Sequence, residues 1–210
     1  MESSNNVATA VGIVETPAAL SHSHRGENFY NFILKINRLS SIADHIVVTI
    51  SEKLLGIVEI LPGREIEISG QFRSYNNYNG EGNKLILTLF VHDIKEADEF
   101  SDMENPNRIY LNGYICKLPV YRTTPFGREI TDIILAVNRP HGKSDYIPCI
   151  CWGRNAKYAS TLQVGDNIEI TGRIQSREYQ KKLEDGDSIT KTAFEVSVSK
   201  LSLRSTEELI

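Results

Sequence analysis

The sequence predicts an all-β protein that consists of two tandem copies of one small barrel. Short segments of alternating or continuous hydrophobicity, separated by turn residues, recur along the whole chain, as expected of strands. The two halves also share an ungapped match, because ILPGREIEISGQFRSY at residues 60–75 aligns with LQVGDNIEITGRIQSR at residues 162–177. The same order of elements surrounds this match in both halves, which indicates an internal repeat.

Each copy is predicted to run strand, strand, strand, short helix, strand, strand. Besides the matched segments, strands are predicted at residues 29–36, 44–50, 84–94, 130–137, 145–152 and 192–201, and short helices at residues 51–60 and 154–162. Five strands with a helix between the third and the fourth is the plan of the OB-fold, a Greek-key barrel. Gly70 and Gly172 fall within strands, where a glycine commonly marks a bulge or a tight barrel corner.

The boundary between the copies is predicted in the segment KEADEFSDMENPN, residues 95–107. This segment is acidic, contains a proline and has no hydrophobic periodicity, so it is typical of a linker. We expect an N-terminal OB-fold at residues 1–100, a linker at 101–107 and a C-terminal OB-fold at 108–210. Each copy then has the size of an ordinary small domain.

Charge is distributed unequally between the two halves. Residues 1–104 contain 8 Lys or Arg and 15 Asp or Glu, whereas residues 105–210 contain 15 and 12, within a formal net charge of −4. The overall charge argues mildly against a nucleic-acid partner, but a basic half is a recognised signal of one. The basic half is therefore the candidate for contact with a polyanion.

The bulk composition favours a globular protein of the cytoplasm, and we expect it to hold no cofactor. No apolar run approaches the length of a membrane span, and the N-terminus lacks the pattern of a secretory signal. Three cysteines, two of them alternating on one strand, form neither a disulfide framework nor a zinc site, so we expect them to be reduced. His22 and His24 lack a third ligand at a suitable spacing and are predicted to lie in a flexible polar loop.

The segment DYIPCICW, residues 145–152, holds the single tryptophan of the chain. If the strand is regular, one face carries Tyr146, Pro148, Ile150 and Trp152, and the other carries Ile147, Cys149 and Cys151. The second face is small and apolar, as expected in a core, whereas the first has an aromatic ring at each end and suits a contact surface. The alternative is that Trp152 is buried, as tryptophan commonly is.

The segment that follows the second copy of the match supplies cations beside an aromatic ring. Period two places Ile168, Ile170, Gly172 and Ile174 on one face and Arg173, Gln175, Arg177 and Tyr179 on the other. Cations neutralise phosphates, and aromatic rings stack on any base, at about 1–3 kcal/mol per base. The alternative for this face is an ordinary solvated surface.

Loops of the second copy add weaker candidates. Arg122, Phe126 and Arg128 fall in YRTTPFGRE, the predicted connection between the first two strands, although a phenylalanine in a turn often folds back onto its own domain. Arg139, Arg154 and Lys157 are further candidates for phosphate contact and are equally compatible with solvated charges. Lys181 and Lys182, in a predicted long hairpin, could extend the groove, although acidic residues at the hairpin tip would oppose this.

The second copy resembles bacterial single-stranded DNA-binding proteins. The resemblance rests on LAVNR at a strand end, on the aromatic–x5–aromatic–Gly–Arg segment from Tyr146, on the short helix that contains alanine, and on GRIQSREY. It spans residues 109–201 and implies that Tyr146, Trp152 and Tyr179 stack bases in a basic groove. Members with one barrel per chain form tetramers of four barrels, so the resemblance implies a homodimer here. Many members end in an acidic tip that recruits partners, which LRSTEELI echoes only faintly.

The first copy keeps the predicted fold but not the aromatic pattern. His45, Ser51 and Asn77 stand in the places of Tyr146, Trp152 and Tyr179. Its remaining candidate surface consists of Arg73, Tyr75 and Tyr78. We therefore expect the first barrel to serve mainly structure or dimerisation.

Sequence-independent binding of single-stranded DNA in replication, recombination or repair is the leading function. The alternative is a protein-interaction adaptor of a replisome or primosome with weak affinity for nucleic acid, and RNA is a second ligand class because a stacking groove does not read the 2′-hydroxyl. We expect no enzymatic activity, since no nucleophile with a base and no phosphate-cradling loop is evident and Asp132 has no evident partner.

Overall fold

The protein folds into two β-barrels that share one continuous sheet of twelve strands. The computed structural model describes residues 5–38, 40, 42–76, 85–98, 101–102, 104–182 and 188–204, with the backbone alone at residues 181 and 182. Within these ranges, no helix is long and apolar enough to cross a membrane.

The first barrel closes through the pairing order β1–β3–β4–β6–β5–β1, in which β4 and β6 are parallel and the other pairs are antiparallel. Its elements are β1 Asn6–Val14, β2 Ala19–His24, β3 Glu27–Asn37, β4 Ala43–Ser51, α1 Glu52–Leu55, β5 Glu65–Asn76 and β6 Leu85–Glu96. The short helix lies between β4 and β5.

The second barrel repeats this pairing order strand for strand, as β7–β9–β10–β12–β11–β7. Its elements are β7 Asn107–Ile115, β8 Val120–Thr123, β9 Glu129–Arg139, β10 Lys143–Trp152, α2 Arg154–Ala159, β11 Asn167–Lys182 and β12 Ser188–Leu203, with one turn of 3-10 helix at Pro140–Gly142. The prediction of two OB-folds in an all-β chain is confirmed.

Two details of the predicted order were wrong. Each barrel has a sixth, short strand, because β2 and β8 extend the sheet by pairing with β3 and β9. The segments predicted as connections therefore contain strands. Both helices are also shorter than predicted, since α1 ends at Leu55 and α2 at Ala159.

The repeated strand alternates as its sequence predicts. In β5, Ile66, Ile68 and Phe72 are buried, whereas Glu67, Arg73 and Tyr75 are half-buried on the outer face. In β10, Ile150 shares the outer face with Tyr146 and Trp152, as predicted for a regular strand, yet it is only 4% exposed. Ile150 lies between Asp132 of β9 and Ser197 of β12, so neighbouring strands cover it on the outer face.

Gly70 and Gly172 mark a bulge in each barrel, as predicted from their place within a strand, and they allow a close approach of two backbones. A Cβ atom on Gly172 would lie 2.2 Å from the carbonyl oxygen of Ser197, and one on Gly70 would lie 2.0 Å from that of Phe90. The register of each barrel shifts at this glycine, so that one residue of β6 or β12 bulges out. The bulge tightens the curvature of the sheet at the same place in both barrels.

The two barrels meet through β1 and β7, which pair antiparallel with Ala8 opposite Ile109. This pairing makes the first barrel a continuation of the second in one sheet. Similar contacts flank it on both sides, because β4 contacts β11 and β10 contacts β5. The arrangement is therefore close to two-fold symmetric within a single chain.

Candidate nucleic-acid interface

A groove of about 580 Å³, formed mainly by the second barrel at its junction with the first, brings four arginines around the single tryptophan. Its lining includes Trp152 with Arg38, Arg128, Arg173 and Arg177, together with Ile42, Gln175, Ser176, Glu178 and Ser197. Aromatic surface and cations thus lie side by side in one open depression. This is the composition that accommodates bases and phosphates of a single strand.

Trp152 is half-buried, so it neither fills the core nor stands free in solvent. It is the last residue of β10 and lies opposite Ile130 of β9. Gly153 follows with a positive φ of 54°, a conformation that favours glycine, and α2 begins at Arg154. The strand therefore ends directly at the indole, which leaves part of the ring accessible from the groove.

Arg173 is one of two arginines of the groove, with Arg128, for which the described residues show no ion pair. Among the described residues, no carboxylate lies within ion-pair distance of its guanidinium, and the side chain is exposed. Partial burial of the guanidinium lowers the pKa of Arg173, the neighbouring charge of Arg38 lowers it further, and the charge of Asp44 opposes these two effects. Two guanidiniums close together attract an anion, which relieves their mutual repulsion.

Gln175 and Glu195 form a buried pair in the floor of the same face. Gln175 is 6% exposed and donates a hydrogen bond of 2.6 Å to the Glu195 carboxylate. The same carboxylate oxygen lies 3.7 Å from Nε of Arg177. The face is therefore not purely cationic, because β12 brings a carboxylate opposite the predicted strand. Sequence patterning along β11 alone did not reveal it.

Two other predicted cations are held by carboxylates. The Arg122 guanidinium donates to both oxygens of Asp132, at 2.6 and 3.2 Å. Asp132, which has no evident partner in the sequence, thus finds one across the β8–β9 pair. Lys157 lies 3.2 Å from Glu129. These ion pairs make Arg122 and Lys157 attract a phosphate less strongly than Arg173 does.

The remaining loop candidates are accessible. Phe126 is 91% exposed at the tip of the turn between β8 and β9, so it does not fold back onto its own barrel. Arg128 follows in the same turn and reaches the groove beside Trp152. Arg154 is exposed at the start of α2.

Tyr146 lies in a second groove instead of beside Trp152. This groove, of about 430 Å³, is lined by Tyr75 and Asn76 of the first barrel and by Arg139, Lys143 and Tyr146 of the second. The Arg139 guanidinium lies over the Tyr75 ring at 5.5 Å from its centroid. Tyr146 and Trp152 are six residues apart on β10, about 20 Å along an extended strand.

The last predicted ring and two further candidates stand outside both grooves. Tyr179 is half-buried on β11, opposite Lys191 of β12, and lines neither groove. The side chain of Lys181 and all of Tyr78 lie outside the described residues. The roles of these residues stay predictions.

The first barrel contributes two groove residues that the sequence analysis missed, Arg38 and Ile42. Both lie between β3 and β4, yet they line the groove of the second barrel beside Trp152 and Arg173. Asp44 fixes the Arg38 guanidinium through two hydrogen bonds, and this bonding raises the pKa of Arg38. Alignment of the two copies could have identified Arg38, because it aligns with Arg139, which was predicted from the sequence as a phosphate contact.

The two grooves are built in the same way. In the first, Asp44 accepts a hydrogen bond from the Ser176 N–H at 2.9 Å, and in the second, Asp145 accepts one from the Ser74 N–H at 2.6 Å. Each groove thus combines the end of β3 or β9 from one barrel with β5 or β11 from the other. The depressions are properties of the joined barrels, not of either barrel alone.

Comparisons of the sequence with known proteins agree with this geometry. Residues 106–203 match the model of the single-strand binding protein family. A single-stranded DNA-binding protein from Clostridium tetani is 39% identical over 83 residues, which is 36% of this chain and 57% of that protein. Single-stranded DNA-binding protein A from Bacillus subtilis is 35% identical over 83 residues, 36% of this chain and 48% of that protein. The chain thus spans about half the length of these curated relatives.

A solved structure matches both barrels together. The wild-type single-stranded DNA-binding protein from Thermus aquaticus superposes with a TM-score of 0.73 over 95% of this chain and 93% of that one. The two sequences are 16% identical, so this likeness establishes the fold alone. The second barrel of the chain is thus similar in sequence to the single-strand binding protein family, and it is joined to a first barrel of the same fold.

Proposed function

We propose that the protein binds single-stranded DNA without sequence preference, by stacking bases on exposed rings and neutralising phosphates. The groove in which four arginines surround Trp152 is the observation that carries this proposal. Rings accept the face of any base and arginines contact any phosphate, so neither group reads sequence. The match of residues 106–203 to the model of the single-strand binding protein family supports the same ligand.

Within the groove we assign different tasks to different residues. Trp152 stacks a base, and Arg173, Arg177 and Arg128 contact the phosphates on either side. Arg173 and Arg128 carry the largest share of the electrostatic attraction, because no described carboxylate lies within ion-pair distance of either guanidinium. Arg177 contributes less while Glu195 lies 3.7 Å away.

The other predicted residues extend this path at its ends. Phe126 offers a freely accessible ring at the turn next to Arg128. Arg154, Lys157, Arg122 and Lys181 supply peripheral charge around the second barrel. Tyr146 and Tyr75, which line the second groove together, form a separate stacking position, and Tyr179 adds one on the long β11–β12 hairpin.

The proposed setting is DNA replication, recombination or repair in the bacterial cytoplasm. We propose that the domains divide at residues 101–107, that two chains associate into a homodimer with four barrels, and that the first barrel contributes structure to this assembly. The ligand is single-stranded DNA, and RNA is the alternative ligand class because a stacking groove does not read the 2′-hydroxyl. The protein performs no chemistry on the strand.

Fluorescence of Trp152 provides the direct test. Oligo-dT added at low salt is expected to quench the indole emission through stacking, and rising salt is expected to restore the emission as counterions return to the strand. The control is Trp152→Phe, which removes the signal and keeps a ring. An unquenched indole together with an unshifted band in an electrophoretic assay at low salt would refute the proposal.

A second candidate is a protein-interaction adaptor with weak affinity for nucleic acid. It is favoured by the acidic first half of the chain and by the carboxylates Asp132 and Glu195, which partly neutralise the outer face of the second barrel. The two functions differ in their dependence on salt. Tight binding of oligo-dT that persists at moderate salt without any partner favours the first, and its loss favours the adaptor.

A further inference from the structure

The first barrel carries a cluster of four aromatic rings on its outer face. His22 stacks on Phe29 with ring centroids 5.0 Å apart and planes inclined by 12°. Phe29 lies 5.7 Å from Phe90, and Phe90 lies 5.8 Å from His92 in an edge-on arrangement. Both histidines are exposed and both phenylalanines are half-buried. The cluster therefore presents ring surface to solvent across β2, β3 and β6.

One cation completes this cluster. The Arg73 guanidinium lies 4.1 Å from the centroid of the Phe90 ring. Gln71 accepts two hydrogen bonds from it, at 2.9 and 3.2 Å, which fixes the orientation of the guanidinium plane. Among the described residues, Arg73 has no carboxylate within ion-pair distance. The nearby carboxylates Glu27 and Glu52 contact Lys53 and Asn28.

The strand register shows where this cluster corresponds to the groove of the second barrel. Phe90 lies opposite Thr49 and Gln71, in the same way that Ser197 lies opposite Ile150 and Arg173. Ser197 lines the groove beside Trp152. Phe90 therefore occupies, in the first barrel, a position that borders the proposed DNA site in the second.

The two copies carry their aromatic rings on different strands: Trp152 is on β10, whereas Phe29 and Phe90 are on β3 and β6. Ser51 replaces Trp152 at the end of the strand, but Phe29 lies directly opposite Ser51, and Phe90 replaces Ser197 on the other side. The cation has moved as well, because Arg73 corresponds to Gln175 and Gln71 corresponds to Arg173. A position-by-position comparison of the copies therefore finds no counterpart of Trp152 in the first barrel. The surface of the first barrel nevertheless has aromatic rings beside a guanidinium at nearby positions.

We infer that Phe29, Phe90 and Arg73, flanked by His22 and His92, form a second stacking site for bases of single-stranded DNA, on the first barrel. This inference rests on the proposed function of the second barrel and extends the bound strand to the other half of the chain. With one arginine at its centre, in the half of the chain that carries excess acid, the site holds bases mainly by stacking. Its contribution to affinity is accordingly only weakly dependent on salt.

The test compares two lengths of oligo-dT with the full chain. One OB-fold covers roughly 4–16 nucleotides, so an oligomer of about 10 fills the groove of the second barrel and one of about 30 also reaches the first. The variant Phe90→Ser with Phe29→Ile installs the residues that the second barrel has at the same register, Ser197 and Ile130. Ile57→Ser, at a residue 57% exposed on the first barrel and outside the cluster, is the matched control.

We expect the double variant to bind the short oligomer as the wild type does and to bind the long one about tenfold more weakly. The salt dependence of its binding should stay close to that of the wild type, unlike that of Arg173→Ala, which loses a phosphate contact. Phe90→Leu keeps the apolar volume and removes the ring, and it should also weaken binding of the long oligomer. This variant replaces the double variant in the test if the double variant does not fold.

Two results separate failure of the inference from failure of the proposed function. If the wild type binds both oligomers and the variants bind the long one equally tightly, the second site is refuted and the first stands. If the wild type binds neither oligomer, the proposed function itself is wrong. Retention of a peptide or protein ligand on this face in place of oligo-dT would also overturn the inference.

Discussion

The Asp44 carboxylate of the first barrel accepts a hydrogen bond from the backbone N–H of Ser176 in the second, at 2.9 Å. The Ser176 hydroxyl in turn accepts one from the backbone N–H of His45, also at 2.9 Å. The related pair, Asp145 and Ser74, makes the same exchange on the other side of the junction. Both carboxylates are 1% exposed, so each barrel is hydrogen-bonded to the other through a buried, ionisable group.

Replacement of Asp145 by asparagine should change how stability depends on pH. Burial raises the pKa of Asp145, against the opposing effects of the Ser74 N–H and of Arg139. The folded state thus binds this proton more tightly than the unfolded chain does, and Asp145 favours folding increasingly as the pH falls from neutral towards about 4. Asp145→Asn should lack this gain, as measured by urea unfolding at both pH values. An exposed counterpart, Asp102→Asn, should keep it, and an identical pH response of Asp145→Asn and wild type would contradict the assignment.

A negative charge at Ile42 should weaken binding to DNA although this residue belongs to the first barrel. Ile42 is 58% exposed and lines the groove that contains Trp152 and Arg173. Ile42→Glu is expected to lower the affinity for oligo-dT about fivefold, because a carboxylate there repels phosphates. Fluorescence titration of Trp152 measures the effect, and Ile57→Glu, which places the same charge outside the groove, should bind as the wild type does. Equal affinities of the two variants would show that the groove is not shared between the barrels.

Neutralisation of Glu195 should strengthen binding. Glu195→Gln keeps a carbonyl oxygen that accepts the hydrogen bond from Gln175 and removes the charge that lies 3.7 Å from Arg177. We expect an affinity for oligo-dT about fivefold higher and a steeper dependence on salt, since Arg177 is then free to release a counterion from a phosphate. Glu59→Gln, an exposed carboxylate of the first barrel, serves as the control. Unchanged salt dependence in Glu195→Gln would argue that Arg177 does not contact the strand.

A methyl group at Gly172 should destabilise the second barrel. The added Cβ atom would lie 2.2 Å from the backbone oxygen of Ser197, which can move only if the bulge itself is rearranged. We expect Gly172→Ala to lower the free energy of unfolding by about 1–3 kcal/mol in urea titrations. Gly56→Ala meets no atom within 4 Å and should be neutral or slightly stabilising. A neutral Gly172→Ala would mean that the two strands do not approach so closely.

The fold was largely predictable because it rests on local patterns that occur twice. Alternation in residues 60–75 and 162–177 identifies the repeated strand, and the glycines within it identify the bulge. The minor strands β2 and β8 escaped prediction because neither has a buried face, and all residues of both are exposed. An exposed strand carries no hydrophobic periodicity from which to infer it.

The candidate site was predictable along each strand but not across strands. Period two correctly places Arg173, Gln175 and Arg177 on one face, yet it says nothing of Glu195, which only the pairing of β11 with β12 brings opposite Gln175. Arg38 and Ile42 reach the groove through the junction of the barrels, a relationship between residues more than a hundred positions apart. The aromatic cluster of Phe29 and Phe90 was missed for the same reason, because its rings come from different strands.

The near two-fold arrangement of unlike barrels has a consequence for the orientation of a bound strand. Two identical barrels look the same from the 5′ and the 3′ end of a strand that crosses between them. In this chain the approximate two-fold axis between the barrels relates Trp152 to Ser51 and Ser197 to Phe90. A strand that crosses the axis therefore meets the indole and the phenyl ring in one order from its 5′ end and in the opposite order from its 3′ end. Covalent linkage of the copies thus makes the two directions of a strand in the proposed interface inequivalent, whereas in a symmetric pair of barrels they are equivalent.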